Sequence, residues 1–365
     1  MKLQRSGYVA GIAITAVLAL TACGSDNSTP AAGAADASAA AGNCAGGSLT
    51  AQGSTAQKNA MDEWIKTYQG QCSGAEVAYE GTGSGAGIQA FISGTADFAG
   101  SDSALRPAEQ PKADARCPGG QALNLPMVIG PIAVVYNVDG VDDLRLDAPT
   151  LAEIFSGRIT QWNDPAIAAQ NGGAPLPAGA IATIHRSDES GTTDNFTRYL
   201  SKAAESDWTL GNAKAWKAPG GTGAKGSDGV AGAVKSTPGA LAYVELSFAQ
   251  NSDLKTAKIK NGAGEYTELT GESAGRTIAG AKITGTGNDL KMDIDYRTTE
   301  AGAYPIVLVT YEIACNKGSA KAAAIRGFLS YTSSTGGQSA LSDLGYAPLP
   351  DSVRTKVAAS VAAIS

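Results

Sequence analysis

Apolar and polar positions in this chain change period repeatedly. Short apolar-rich runs at Ser48–Ala51, Glu76–Glu80, Ala96–Asp102, Val128–Asn137, Ile181–Ile184, Gly239–Glu245 and Ile306–Glu312 read as strands. Between them the spacing turns helical. Ala60, Met61, Trp64, Ile65 and Tyr68 share one face of a helix starting at Ala56, and Ile88, Phe91 and Ile92 share one face of a helix starting at Ala86. Leu151–Phe155 is helical, Phe196, Tyr199 and Leu200 mark another helix, and Lys321–Thr332 and Ser352–Ala363 are late helices. This alternation predicts an α/β architecture with mainly parallel sheets. Open sheets of that class bind ligands beyond the carboxyl ends of their strands.

The loops at those ends carry the chemistry. The stretch Ile184-His185-Arg186-Ser187-Asp188-Glu189-Ser190-Gly191-Thr192 runs from a strand, past an arginine, through a Ser-Gly-Thr turn into a helix. It aims a guanidinium, hydroxyls and helix-start N–H groups at one small volume, which favours an anion. Gly53-Ser54-Thr55-Ala56 and Gly83-Ser84-Gly85-Ala86-Gly87 repeat the design. One Ser/Thr turn alone is more simply a helix cap. Three such turns together with an arginine point to an oxyanion site.

The amino terminus predicts export. Lys2 and Arg5 precede an apolar run, Val9–Leu20, too short for a comfortable membrane span. It ends in Leu20-Thr21-Ala22-Cys23, which resembles the bacterial lipobox. That resemblance implies a signal peptide over 1–22, cleavage before Cys23 and lipidation of its sulfur. Residues 23–44, mostly Ala, Ser, Gly, Asp and Asn, bury too little to order themselves and read as a tether. The remaining ~320 residues suffice for about two domains.

A net charge of −6 without any basic stripe argues against nucleic acid as a partner. It also means that the anion must be held by local hydrogen bonds rather than long-range steering. Of five cysteines, Cys23 is assigned to the lipid, leaving Cys44, Cys72, Cys117 and Cys315 for two disulfides in an exported chain. Three pairings are open. Cys44–Cys72, which would bracket the first strand–helix unit, with Cys117–Cys315 is the favoured one. The wide spacings and the lack of Cys-x-x-Cys disfavour zinc, and no metal or cofactor is expected. Gly221-Thr222-Gly223-Ala224-Lys225-Gly226 satisfies G-x-G-x-x-G formally, but no strand precedes it and no ribose-binding acid follows, so a dinucleotide site is rejected.

These residues carry a family resemblance. Gly53-Ser54-Thr55, Gly83–Gly87, Asp97-Phe98-Ala99-Gly100-Ser101-Asp102, Leu125–Gly130, Leu151–Gly157, Arg186–Thr192, Gly226–Gly229, Gly239–Glu245 and Tyr346–Pro350 run in order across nearly the whole mature chain. In this combination the chain resembles the phosphate-binding proteins of the phosphate-specific ABC transporter, the PstS family. The resemblance implies a type II periplasmic-binding-protein fold, with two lobes joined by crossover strands. Residues 45–134 and 303–365 would form the first lobe and 135–302 the second, with crossovers in Val134–Val138 and Ala303–Val307.

Carried over by motif, the phosphate contacts are Thr55, Ala56, Ser84, Asp102, Arg186, Ser190, Gly191 and Thr192, with Asp188 orienting Arg186. Asp102 would set selectivity: phosphate at neutral pH still carries a proton to donate to a carboxylate, whereas sulfate carries none and is repelled. Taken alone, Asp102 is also an ordinary turn residue and Arg186 an ordinary surface ion pair. His185, the only histidine, suits a structural role better than a pH-sensing one.

The function implied is that of a non-enzymatic, lipid-anchored, extracytoplasmic solute-binding protein at the bacterial cell membrane. It would be monomeric, capture inorganic phosphate and deliver it to an ABC permease. A binder of another oxyanion is the alternative. A phosphatase using Ser190 or Ser54 is disfavoured, because no histidine is placed as base and no His/Asp set suggests a metal pair.

Overall fold

A computed structural model describes residues 44–172 and 176–365. The expected signal segment, the lipid-bearing Cys23 and the tether up to residue 43 lie outside the described residues. The strands are β1 (Gly47–Gly53), β2 (Ala75–Gly81), β3 (Phe98–Ser101), β4 (Ala122–Asn137), β5 (Arg145–Leu146), β6 (Ala182–Arg186), β7 (Thr222–Ala224), β8 (Ala240–Glu245), β9 (Lys255–Thr256), β10 (Lys258–Lys260), β11 (Tyr266–Thr267), β12 (Lys282–Ile283), β13 (Met292–Asp293) and β14 (Val307–Cys315). The helices that matter below are α1 (Lys58–Gln71), α2 (Ser84–Ser93), α3 (Gln110–Ala115), α4 (Ala148–Phe155), α5 (Pro165–Gln170), α6 (Gly191–Ala203) and α7 (Gly226–Ser236).

One nine-stranded sheet runs β2-β1-β3-β14-β4-β8-β6-β7, with β9 also paired to β4. Its flanks are parallel: β1 pairs with β2 and β3, and β6 pairs with β7 and β8. Its centre is antiparallel, since β14 opposes β3 and β4, and β4 opposes β8 and β9. The expectation of mainly parallel sheets is therefore corrected. An unbroken apolar run signals a strand buried on both faces, but it does not carry direction.

β4 is the seam between the two flanks. It is 16 residues long and buried at every position except the last. Its first part, to Pro131, pairs with β14, and Ile132–Asn137 pair with β8. Proline cannot donate to a ladder, so Pro131 falls at the change of partner and Pro126 next to a register shift opposite Thr310 and Tyr311. Each flank has its own core. Leu49, Trp64, Phe98, Leu125 and Phe328 cluster around one. Val134, Phe155, Phe196 and Tyr243 cluster around the other.

Both disulfides carry the favoured pairing. Cys44–Cys72 ties the residues before β1 to the end of α1, and Cys117–Cys315 ties the loop after α3 to the end of β14. Two helix starts differ from expectation by two residues. α1 begins at Lys58 because the Lys58 N–H closes a tight turn onto the Thr55 carbonyl at 3.1 Å. α2 begins already at Ser84.

Candidate anion-binding site

The site residues converge where strands end. Ser54, Thr55 and Ala56 follow β1, Asp102 follows β3, and Arg186 is the last residue of β6. Ser84 opens α2, Ser190 caps α6, and Ser227 stands at the start of α7. All eight residues expected from the sequence meet here, and all are buried.

Arg186 is held rigidly. Its Nε and Nη2 donate to the two oxygens of Asp188 at 2.7 and 2.6 Å, a bidentate pair that fixes the plane of the guanidinium. Nη1 remains, reaching the Thr192 and Ser227 hydroxyls at 3.4 Å each. Burial works against this charge, but the Asp188 carboxylate outweighs it and holds Arg186 above its ordinary value. Burial likewise pushes Asp188 up, and Arg186 and the Gly226 N–H more than reverse that push.

Asp102 is 3 % exposed and surrounded by hydroxyls. Ser54 and Thr310 both donate to Oδ1, at 2.6 and 2.7 Å, and Ser84 donates to Oδ2 at 3.1 Å. Burial pushes its carboxyl up to about 6, opposed by the Ser54 hydrogen bond, with the Glu245 charge raising it further. At neutral pH it is therefore mainly ionised, and Oδ2, with one hydroxyl donor against two at Oδ1, keeps acceptor capacity for another. Such a group welcomes an oxyanion that brings a proton and repels one that does not.

The two flanks touch through these same groups. The Thr55 and Ser227 hydroxyls are 2.8 Å apart, and the Gly191 N–H donates to Ser84 Oγ at 3.2 Å. A Cβ on Gly191 would lie 2.5 Å from Asp102 and from Ser84 Oγ, so only glycine permits this approach. A second set of contacts closes the rim. Ser103 and Arg106 donate to the buried Asp194 at 2.7 and 2.9 Å, and Lys214 pairs with Glu109 at 2.7 Å.

The hydroxyls divide their work in a way that sequence does not show. Thr192 donates its proton to Glu245, so towards Arg186 it is an acceptor. Ser190 Oγ accepts the Thr193 N–H as a helix cap, leaving its own proton to give. The Ala56 N–H rests on Ser54 Oγ at 3.0 Å. Ser227, Glu245 and Thr310 lie outside the set of residues expected to hold the anion, and Ser54 enters the expectations only through its turn and as a disfavoured nucleophile. Ser227 could have been found, because Gly226-Ser227-Asp228-Gly229 repeats the glycine–hydroxyl helix start. Thr310 could not, because it lies inside a strand with no turn signal. His185 stacks on Trp216, with centroids 4.9 Å apart. The loop Pro219–Gly226 contains the short strand β7, which pairs with β6. Among the described residues no group of His, Cys, Asp or Glu could hold a metal ion.

Comparison with known proteins gives a consistent picture. Residues 38–335 match the PBP superfamily domain. The phosphate-binding protein PstS 3 of Mycobacterium tuberculosis is 46% identical over 372 residues, covering 100% of both chains. The phosphate-binding protein PstS 2 of the same organism is 44% identical over the same full coverage. Among solved structures, the high-affinity periplasmic phosphate-binding protein PfluDING, with phosphate bound, superposes with a TM-score of 0.69 at 21% identity, covering 86% of this chain and 93% of that one. At that identity the likeness is one of fold.

Proposed function

The chain belongs to the PstS phosphate-binding proteins of the PBP superfamily, and from that premise we propose that it captures inorganic phosphate between two lobes and delivers it to an ABC permease. It is a solute-binding protein, not an enzyme. The observation that carries the reading is Asp102: a buried carboxylate, already holding three hydroxyl donors, set in one seam with the clamped guanidinium of Arg186. This pairing gives both attraction for an anion and a demand for a protonated one.

In this reading Thr55, Ala56 and Ser84 act from one side and Arg186, Ser190, Gly191 and Thr192 from the other. We take 45–134 with 303–365 as the first lobe and 135–302 as the second. The change of partner along β4 supports a division near residue 134, whereas Ala274, Ile278, Leu290 and Met292 pack into the core around Trp64 and Phe98, so the second boundary does not follow the cores. Thr55–Ser227 and Ser84–Gly191 are contacts that separate when the lobes open. The lipobox-like Leu20-Thr21-Ala22-Cys23 and the two disulfides support export, with a lipid anchor at Cys23 and a monomer on the outer face of the cell membrane.

Isothermal titration of the mature chain, stripped of co-purified anion by unfolding and refolding, tests this reading. Tight one-to-one binding of phosphate with no heat from sulfate is expected. No phosphate binding by demonstrably refolded protein refutes it and favours a different oxyanion.

A further inference from the structure

Asp102 and Gly191 face each other across the two flanks, and two side chains tie them together. On the N–H side the bridge is Ser84, whose hydroxyl oxygen accepts from the Asp102 N–H at 3.1 Å and from the Gly191 N–H at 3.2 Å. On the carbonyl side it is Asn195, which stands one turn into α6 and is buried. Its Nδ2 donates to the Asp102 carbonyl at 2.7 Å and to the Gly191 carbonyl at 2.9 Å. Its Oδ1 accepts from the Tyr296 hydroxyl at 2.8 Å.

Proton counting fixes the amide. Carbonyl oxygens only accept, so the NH2 group must face them and both of its protons are used. Oδ1 in turn only accepts, so Tyr296 must donate. Burial pushes the Tyr296 hydroxyl above its ordinary value, so it keeps that proton. The Tyr296 ring packs edge-on against Tyr199 of α6, with centroids 6.4 Å apart, in the core of the second flank. Of the three bonds of the amide, those to Gly191 and Tyr296 lie within that flank, and only the one to Asp102 crosses. Separation of the lobes breaks one bond and leaves the amide held by two. It therefore meets Asp102 on closure already oriented, with little side-chain freedom left to lose.

We propose that Asn195 is a positioning residue for anion selectivity: its amide holds Asp102 of one flank in register with the helix start Ser190–Thr192 of the other, so that the carboxylate and the α6 donors meet the same anion. The inference rests on the phosphate reading above. The two bridges answer differently to an anion. An oxyanion that takes the Gly191 N–H takes it from Ser84. The Asn195 bridge ends on carbonyls, which an accepting oxygen cannot displace. Ser103 and Arg106 hold the neighbouring backbone through Asp194 whether or not Asn195 is present. Loss of Asn195 therefore falls on the placement of Asp102 rather than on closure. The anion stays with Arg186 and α6, the phosphate proton loses its carboxylate, and sulfate escapes its repulsion.

The test measures phosphate Kd, and its competition by sulfate, in wild type, Asn195→Leu and Tyr296→Phe. Leucine fills the space of the amide without its hydrogen bonds. It should cut the phosphate-to-sulfate preference by at least about tenfold, the scale of a buried carbonyl left without its donor. Tyr296→Phe removes only the orienting donor and should cut it about threefold, the scale of one ordinary hydrogen bond. A purely structural role lowers the melting temperature and leaves the preference alone. An unchanged preference in folded Asn195→Leu, or in folded Tyr296→Phe where the leucine variant does not fold, overturns the proposal. With Asp102→Asn already present no carboxylate remains to be placed, so adding Asn195→Leu should change the preference by less than about threefold, and a full tenfold change there also overturns it. An NMR measurement on anion-free protein is independent of the phosphate reading. The Asn195 NH2 signal, assigned by its absence from Asn195→Leu, should exchange slowly with solvent in wild type and faster in Tyr296→Phe. Exchange at the rate of an exposed amide in folded wild type overturns the proposal. If wild type shows the protection but binds no phosphate, the functional reading fails and the bridge stands.

Discussion

Replacing Asp102 by asparagine isolates the source of anion selectivity. Ser54 and Thr310 both donate to Oδ1, so the amide carbonyl must occupy that position and the NH2 group must take the place of Oδ2. In wild type a sulfate oxygen at Oδ2 faces a carboxylate. Two unit charges about 4 Å apart at an effective dielectric constant of ~20 repel by about 4 kcal/mol, roughly a thousandfold in affinity. The variant replaces that repulsion with an N–H donor, so sulfate should bind about 10²–10³-fold more tightly than it does to wild type. Phosphate loses its charge-assisted bond to the carboxylate and regains a neutral one, a cost of about 1.5–3 kcal/mol or roughly 10–100-fold. Calorimetric titration of both anions at pH 7, with thermal melting to show that the variant is folded, reads the two changes separately. A folded variant whose phosphate-to-sulfate preference stays within tenfold of wild type refutes the assignment of selectivity to Asp102.

Other perturbations probe the packing and the ion network. Gly191→Ala would place its Cβ 2.5 Å from Asp102 and Ser84, so it should lower phosphate affinity by at least about tenfold with the opened protein still folded; an unchanged Kd in titration contradicts this close approach. Removing Cys117–Cys315, which spans 198 residues, should cost about 5 kcal/mol on the chain-entropy scale, against about 3.5 kcal/mol for Cys44–Cys72, which spans 28; denaturant unfolding of the two double-serine variants would expose a reversed order. Burial pushes the Asp194 carboxyl up, but Arg198, Ser103, Asn212 and Arg106 bring it below its ordinary value. Its stabilising share is therefore present above an unfolded pKa of about 3.9 and is lost as pH falls through the lower folded value. Asp194→Asn should cost about 3 kcal/mol at pH 7 and progressively less in acid, and a pH-independent difference between the two melting curves contradicts the ionised network.

Much of the architecture was legible before any coordinates. The strands and helices follow from apolar spacing, and the three glycine–hydroxyl turns followed from local chemistry that a helix start imposes on its own residues. The convergence of Arg186, Ser190, Thr55, Ser84 and Asp102 was legible only through the order of motifs along the chain. Strand direction at the centre of the sheet was not, because β4 and β14 are mostly apolar and almost wholly buried, and a buried strand looks the same in either direction.

What the chain determined by itself is thus what neighbouring residues decide between them: periodicity, caps, turn glycines, and the clamp of Asp188 on Arg186 two positions away. What only the tertiary structure decided is what distant residues do to one another. Thr310 donates to Asp102 across 208 positions, Ser227 meets Thr55 across 172, and Thr192 gives its proton to Glu245 across 53. Glu312 reads in sequence as one more polar residue in a strand, and it is the burial of β14 between β3 and β4 that strips it of water. The physical reason is that desolvation and hydrogen-bond pairing belong to the assembled interior: the free energy of a charge depends on everything packed around it, and no local pattern of residues contains that information.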